Sequence, residues 1–166
     1  MLTFDSSSVG DAAYSPVQNL FALLSEDASG VGQIELWTVA DETVSRVGDP
    51  VTSGGQTWTL AFSADGQVLA TGGDNGVRFW DVSDSTIPRP LGGRLNLNTE
   101  TFRFAPDGRT LLSTYADSTV LWPMSPEDWS DRACNIAGRN LTQNEWLQYV
   151  SDLPYHLTCA QWPEGK

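Results

Sequence analysis

Few residues in this sequence are of types that do chemistry, and they are thinly spread. One histidine, His156, and two cysteines, Cys134 and Cys159, are the pieces of a thiol nucleophile and its base. His156 lies in Pro154-Tyr155-His156-Leu157-Thr158, with no third group in the pattern to orient the imidazole. The cysteines lack the second pair or the nearby histidines of a zinc site. They read instead as reduced thiols in a cytoplasmic chain, packing its end, or as a disulfide if the chain is exported. The acidic pairs Glu26-Asp27, Asp41-Glu42 and Glu127-Asp128 fall in expected loops or at a helix start, where solvation and the helix dipole account for them without a metal. A phosphate-cradling glycine loop needs a lysine, and the single lysine is Lys166. No catalytic residue, metal or cofactor is expected, and the chain is read as a non-enzyme.

Charge narrows the partners further. Twenty-one acidic residues against nine basic ones leave a net charge of -12, a surface that nucleic acid and anionic membranes would repel. No apolar run approaches the roughly 18 to 20 residues of a membrane span, and Met1-Leu2-Thr3-Phe4-Asp5 lacks the basic and apolar regions of a signal peptide, so a cytoplasmic protein is expected. Seven tryptophans and 40% hydrophobic residues set the chain apart from disordered compositions.

What positions the remaining candidates is a repeat. Ala13-Tyr14-Ser15-Pro16 to Trp37, Ala61-Phe62-Ser63-Ala64-Asp65-Gly66 to Trp80, and Arg103-Phe104-Ala105-Pro106-Asp107-Gly108 to Trp122 align, with the tryptophans 43 and then 42 residues apart. That is the period of four-stranded propeller blades. Within the middle unit, Thr57–Phe62 and Gln67–Thr71 are short strands joined by a turn at Ala64-Asp65-Gly66, and Asn75-Gly76 makes a second hairpin into Val77–Val82. A fourth, outer strand is expected at Thr43–Val47 and around Pro90-Leu91-Gly92, where proline suits an edge. The first unit carries a longer Gly-rich hairpin, residues 25–32, expected to be mobile.

These residues resemble the WD-repeat family, whose blades carry a serine-proline-aspartate-glycine turn and end in a Trp-Asp pair. Ala61–Gly66 and Phe79-Trp80-Asp81-Val82 match closely, and Phe104–Gly108 matches the turn. Trp37 is followed by Thr38 and Trp122 by Pro123, and no unit has the Gly-His pair that begins many family blades. The resemblance implies structural repeat roles for Trp37, Asp65, Asp74, Trp80, Asp81, Asp107, Asp117 and Trp122, with Asp74 and Asp117 bracing hairpins rather than holding a metal. It implies an all-β fold of three four-stranded antiparallel blades, a partial ring, over residues 1–124 (blades about 1–48, 49–90 and 91–124). Propellers close with four to eight blades. The missing ones are expected from a longer parent chain, or from a homodimer forming a six-bladed ring.

Residues 125–166 read as a helical tail packing on the propeller. Ser125-Pro126 is an N-cap with proline at the first helical position, before an apolar face of Trp129, Ala133, Ile136 and Ala137. Thr142-Gln143-Asn144-Glu145 is a capping box before Trp146, Leu147, Tyr149 and Val150, and Asp152-Leu153-Pro154-Tyr155 ends that helix. Asn140-Leu141-Thr142 fits a glycosylation sequon but reads more simply as the lead-in to the helix. Ala133-Cys134, Ala137–Thr142, Glu145-Trp146, Pro154-Tyr155 and Thr158-Cys159 resemble a tail that follows the last blade in bacterial multidomain proteins, notably STAND-type signalling NTPases with C-terminal WD repeats.

By the same resemblance, binding falls where loops lead into the innermost strands. Trp58 and Glu100 occupy that position and Tyr115 lies in the neighbouring hairpin, which makes them the candidate partner-binding residues. Trp58 has a second reading, packing between blades. The expected function is a protein-interaction scaffold or sensor module in a bacterial signalling protein, partnered by other proteins or upstream domains. The alternative is a fragment of a propeller hydrolase whose active site is completed by missing blades.

Overall fold

A computed structural model describes residues 9–41, 43–96, 99–150, 153–163 and 165. Met1–Asp5, Glu42, Asp152 and Lys166, to which the sequence reading gave roles, lie outside them, and the side chain of Glu127 is not described. The chain divides into two units, Met1–Trp122 and Pro123–Lys166.

The first unit consists of three antiparallel sheets. Sheet I holds β1 (Val9–Tyr14), β2 (Leu20–Glu26), β3 (Gly32–Ala40) and β4 (Thr43–Thr52), in that order. Sheet II holds β5 (Thr57–Phe62), β6 (Val68–Gly73), β7 (Gly76–Asp81) and β8 (Arg89–Leu95). Sheet III holds β9 (Thr101–Phe104), β10 (Thr110–Tyr115) and β11 (Ser118–Pro123). Both expected outer strands form, and each runs further than the sequence pattern indicated, β4 to Thr52 and β8 to Leu95. The third sheet departs from the expected four strands. Among the described residues β11 is its edge, because the chain turns at Ser125 into a helix where the other units turn into an outer strand.

Strand alternation puts apolar side chains on both faces of the middle sheet, and both are used. Leu60, Phe62, Leu69 and Trp80 meet Leu20, Ala22, Leu24, Ile34 and Leu36 of sheet I in one buried cluster. The opposite face meets sheet III so closely that a Cβ at Gly72 would lie 2.6 Å from the Phe102 ring. The innermost strands β1, β5 and β9 are neighbours. Asp11 ties two of them together, its carboxylate accepting from the Leu60 amide at 3.1 Å.

The repeat tryptophans are held by a recurring bond. Trp80 Nε1 donates to Thr71 Oγ1 at 3.0 Å, and Trp122 Nε1 to Ser113 Oγ at 2.8 Å. Register places Leu23 of sheet I where Thr71 stands in sheet II. With no hydroxyl there, Trp37 donates instead to Glu35 Oε2 at 3.1 Å, and the other Glu35 oxygen accepts from Ser25 at 2.7 Å. A carboxylate this buried is stable only when both oxygens are occupied.

The turns follow their chemistry. Asp65 accepts from Ser63 and from the Gln67 amide, Asp107 from the Arg109 amide, and Asp81 from Ser83. These bonds hold Asp65 and Asp81 below the usual carboxylate range, with the serine hydroxyl the largest cause in both. Asp74 and Asp117 behave otherwise than expected, since neither carboxylate accepts a hydrogen bond from the described residues. The Asp74 amide donates to Gln56 O at 3.2 Å, and the hairpins are shaped by Gly76 at φ 83° and Ala116 at φ 49°. The hairpin expected to be loose is bonded within itself. Asp27 Oδ1 accepts from the Ser29 amide and hydroxyl and from the Val31 amide.

In the second unit, α1 (Pro126–Ala137) starts at Ser125, whose hydroxyl accepts from the Asp128 amide, and stops at Gly138, φ 64°, whose amide donates to Cys134 O. The capping box of α2 (Gln143–Tyr149) is complete: Glu145 N donates to Thr142 Oγ1 at 3.1 Å and Thr142 N to Glu145 Oε2 at 2.8 Å. The expected apolar faces form only in part. Trp146 is buried, whereas Ile136, Leu147 and Tyr149 are exposed. The interior is built instead from Cys134, Cys159, Asn140 and Trp146. Trp146 takes Tyr155 and His156 edge-on at 5.5 and 4.6 Å and donates its indole N–H to Leu153 O.

The reading of Cys134 and Cys159 as reduced thiols is overturned. They form a disulfide between α1 and the C-terminal segment, with Cα atoms 5.5 Å apart. That also removes the thiol-and-imidazole pairing, because neither sulfur can become a thiolate while bonded and His156 is packed on Trp146.

Candidate functional site

The inner strands of sheets I and II both begin with an irregularity. Register shifts between Val9 and Asp11 and between Thr57 and Thr59 leave Gly10 and Trp58 as the inserted residues. A bulge of this kind re-aims its side chain. Trp58 is turned toward sheet III, where its indole N–H donates to Thr99 O at 3.0 Å, yet the residue remains 43% exposed. Its polar edge thus ties two sheets together while part of the side chain meets solvent.

Sheet III supplies the other two candidates. Thr101 pairs with Thr114, and one step further along the ladder Glu100 N donates to Thr114 O at 2.8 Å, which sets Glu100 opposite Tyr115. Glu100 Oε1 accepts from Ala116 N at 3.4 Å, so its carboxylate lies against the hairpin that carries Tyr115, itself 47% exposed. Trp58, through Thr99, and Glu100 and Tyr115, as ladder neighbours, thus come together at the end of sheets II and III where β5 and β9 begin. Thr59 lies in the same seam, and its hydroxyl is buried with no hydrogen-bond partner among the described residues.

Arg94 is a contributor that sequence reasoning missed. Its guanidinium donates to Ser53 O and Gly54 O, both at 2.7 Å, and fixes the segment that leads into β5. No short-range pattern marks a residue 40 positions from its acceptors. Among the described residues no cluster of three or more His, Cys, Asp or Glu could hold a metal. Among the described residues no helix is long and apolar enough to cross a membrane.

Residues 48–81 match the family model of the WD domain, G-beta repeat. The match begins inside β4, the outer strand of sheet I, and ends at Asp81, the last residue of β7. The WD repeat in sequence is thus offset by one strand from the sheet in space: each repeat supplies the outer strand of one blade and the three inner strands of the next. Such an offset ties neighbouring blades together covalently. The three antiparallel sheets followed by two short helices have the make-up of a partial WD propeller with a helical tail. No curated protein matches the chain.

Proposed function

We propose that this chain is a protein-interaction module whose docking surface is the loop-bearing end of the sheets, centred on Trp58, Glu100 and Tyr115. WD repeats are in general interaction scaffolds and not catalysts, which supports the coarse reading. The observation that carries the finer one is Trp58: a tryptophan held in place by its own N–H, yet exposed beside a polar rim, is the kind of anchor on which binding energy concentrates.

The wider setting is a bacterial signalling protein in which this arc forms part of a larger propeller. Sheet III supports the need for completion. Its edge strand β11 carries exposed Val120 and Leu121 and has no outer strand among the described residues, and an open apolar edge invites pairing. Blades of a longer parent chain, or a second copy closing a six-bladed ring, would supply that cover. The Cys134–Cys159 disulfide favours an oxidising compartment over the cytoplasm that the sequence led us to expect.

The docking reading is tested by capture on the immobilised chain, comparing it with the Trp58→Ala, Tyr115→Ala double variant. The expected result is a protein retained by the parent and lost by the variant, with the β-sheet circular dichroism of the two unchanged. Equal retention by both would remove this surface from the account.

A further inference from the structure

We infer that the end of sheets II and III where β5 and β9 begin takes a basic side chain, arginine or lysine, of its protein partner. This rests on the docking reading above and names the chemistry that the surface selects. Two exposed aromatic residues, Trp58 and Tyr115, lie there, and the Glu100 carboxylate lies between their elements. Aromatic faces attract cations through their quadrupole, and a carboxylate beside them adds direct charge attraction.

The surroundings have the same sign. This end of the unit is formed by the β2–β3, β6–β7 and β10–β11 hairpins and by the segments leading into β5 and β9. Among the described residues these elements carry the carboxylates of Glu26, Asp27, Asp74, Glu100 and Asp117, against two guanidinium groups that are both engaged: Arg94 by two carbonyls, and Arg103, reaching back to the start of β9, by Thr101 Oγ1 and Phe102 O. The exposed carboxylates of Asp74 and Asp117 accept no hydrogen bond from the described residues, which leaves their charge to the surface. The opposite end is mixed in sign, with Arg89 and Arg109 among its aspartates. A predominantly acidic field around exposed aromatic side chains steers a cationic partner to them.

The unpartnered Thr59 hydroxyl adds a separate observation. It lies buried in the seam beneath Trp58, at the place in sheet II where Asp11 of sheet I bridges to the next inner strand. A hydroxyl in that condition is an acceptor and donor still to be satisfied, by a bound water or by a guanidinium reaching inward.

The test is a titration of the full ¹⁵N-labelled chain with N-acetyl-arginine amide, using N-acetyl-glutamine amide as the neutral control, followed by NMR. The expected result is a saturable shift of the Trp58 indole N–H and of the Glu100 and Ala116 amides with the arginine probe alone. Glu100→Gln keeps an oxygen for the Ala116 amide and should weaken binding about threefold or more. Trp58→Phe, which retains a ring, serves as a second variant and should weaken it less. Equal shifts with both probes, shifts spread without saturation over all carboxylates, or an unaltered response in Glu100→Gln would overturn the inference. If a protein is captured in a Trp58-dependent way while the arginine probe leaves the indole unmoved, cation selection fails and the docking reading stands.

Discussion

Asn140 and Cys159 are bonded to each other in both directions: the amide nitrogen of Asn140 donates to Cys159 O at 3.0 Å, and Cys159 N donates to Asn140 Oδ1 at 2.9 Å. The same side chain donates to Trp162 O and Pro163 O and accepts from Thr158 Oγ1, and the residue is 1% exposed. It replaces water for a segment with no regular structure of its own. Asn140→Asp keeps the shape but turns an oxygen toward three carbonyls. We expect it to lower the opening free energy of the C-terminal unit by at least about 2 kcal/mol, read by amide hydrogen exchange over residues 139–163. Unchanged protection would mean the segment is held elsewhere. The same burial makes the Asn140 sequon a poor glycan acceptor in the folded chain.

The disulfide acts on the same segment through the unfolded chain. It links positions 25 residues apart, and a loop of that size contributes about 3.5 kcal/mol by chain entropy. A unit this small, with a thin interior, depends on such a staple. Reduction, or paired Cys134→Ser and Cys159→Ser substitution, is expected to raise exchange in α1 and residues 158–163 more than a hundredfold while leaving β5–β7 protected. Loss of protection in both units together would contradict their independence.

Thr59 offers a prediction of the opposite sign. Removing a buried hydroxyl without a partner costs no hydrogen bond, so Thr59→Val, of nearly the same shape, should raise stability toward urea by up to about 1 kcal/mol. A fall of similar size would show that the hydroxyl has a partner, such as an ordered water.

Arg139 and Glu145 form a two-armed ion pair, both contacts at 2.7 Å. The guanidinium, followed by the Thr142 amide, holds the Glu145 carboxyl down from 4.5 to about 2. A group depressed on folding contributes stability that is fully present above its unfolded value and is lost as pH falls through the folded one. Both side chains are at the surface, so the contribution is small. The carboxyl resonance of Glu145 should titrate near 2 in the parent and higher in Arg139→Met, though still below 4.5 because the Thr142 amide keeps its bond to Oε2. A parent midpoint near 4.5 would show that the pair does not persist in solution.

How much was legible in the sequence follows the range of each interaction. Trp37, Trp80 and Trp122 recur 43 and 42 residues apart because each occupies the same place on the third strand of its sheet, and the turns at Asp65 and Asp107 are local, so the blades could be read directly. Ser125 and Thr142 cap their helices within three residues and were equally visible. The third sheet was expected to have four strands, but residues 91–95, counted with it, pair as part of β8 in sheet II, leaving β9, β10 and β11 among the described residues. The disulfide and the Asn140 bonds join residues about twenty positions apart through a segment without periodicity, and Arg94 reaches some forty positions back. The apolar faces assigned to the helices failed for a related reason: Cys134 and Asn140 occupy the interior that Ile136 and Leu147 were expected to fill. At the candidate site, alignment of the repeats singled out Trp58 and Glu100, but the bulge that turns Trp58 toward Thr99 appears only in the register.

The central claim is that one end of the sheets docks a protein, and the most direct measurement is photo-crosslinking inside cells with a benzoylphenylalanine placed at position 115 or at position 87. Ile87 is as exposed as Tyr115 but lies in the β7–β8 connection at the opposite end. The account predicts a discrete crosslinked protein from position 115 and none from position 87. Equal crosslinking from both positions, or capture from position 87 alone, would contradict it.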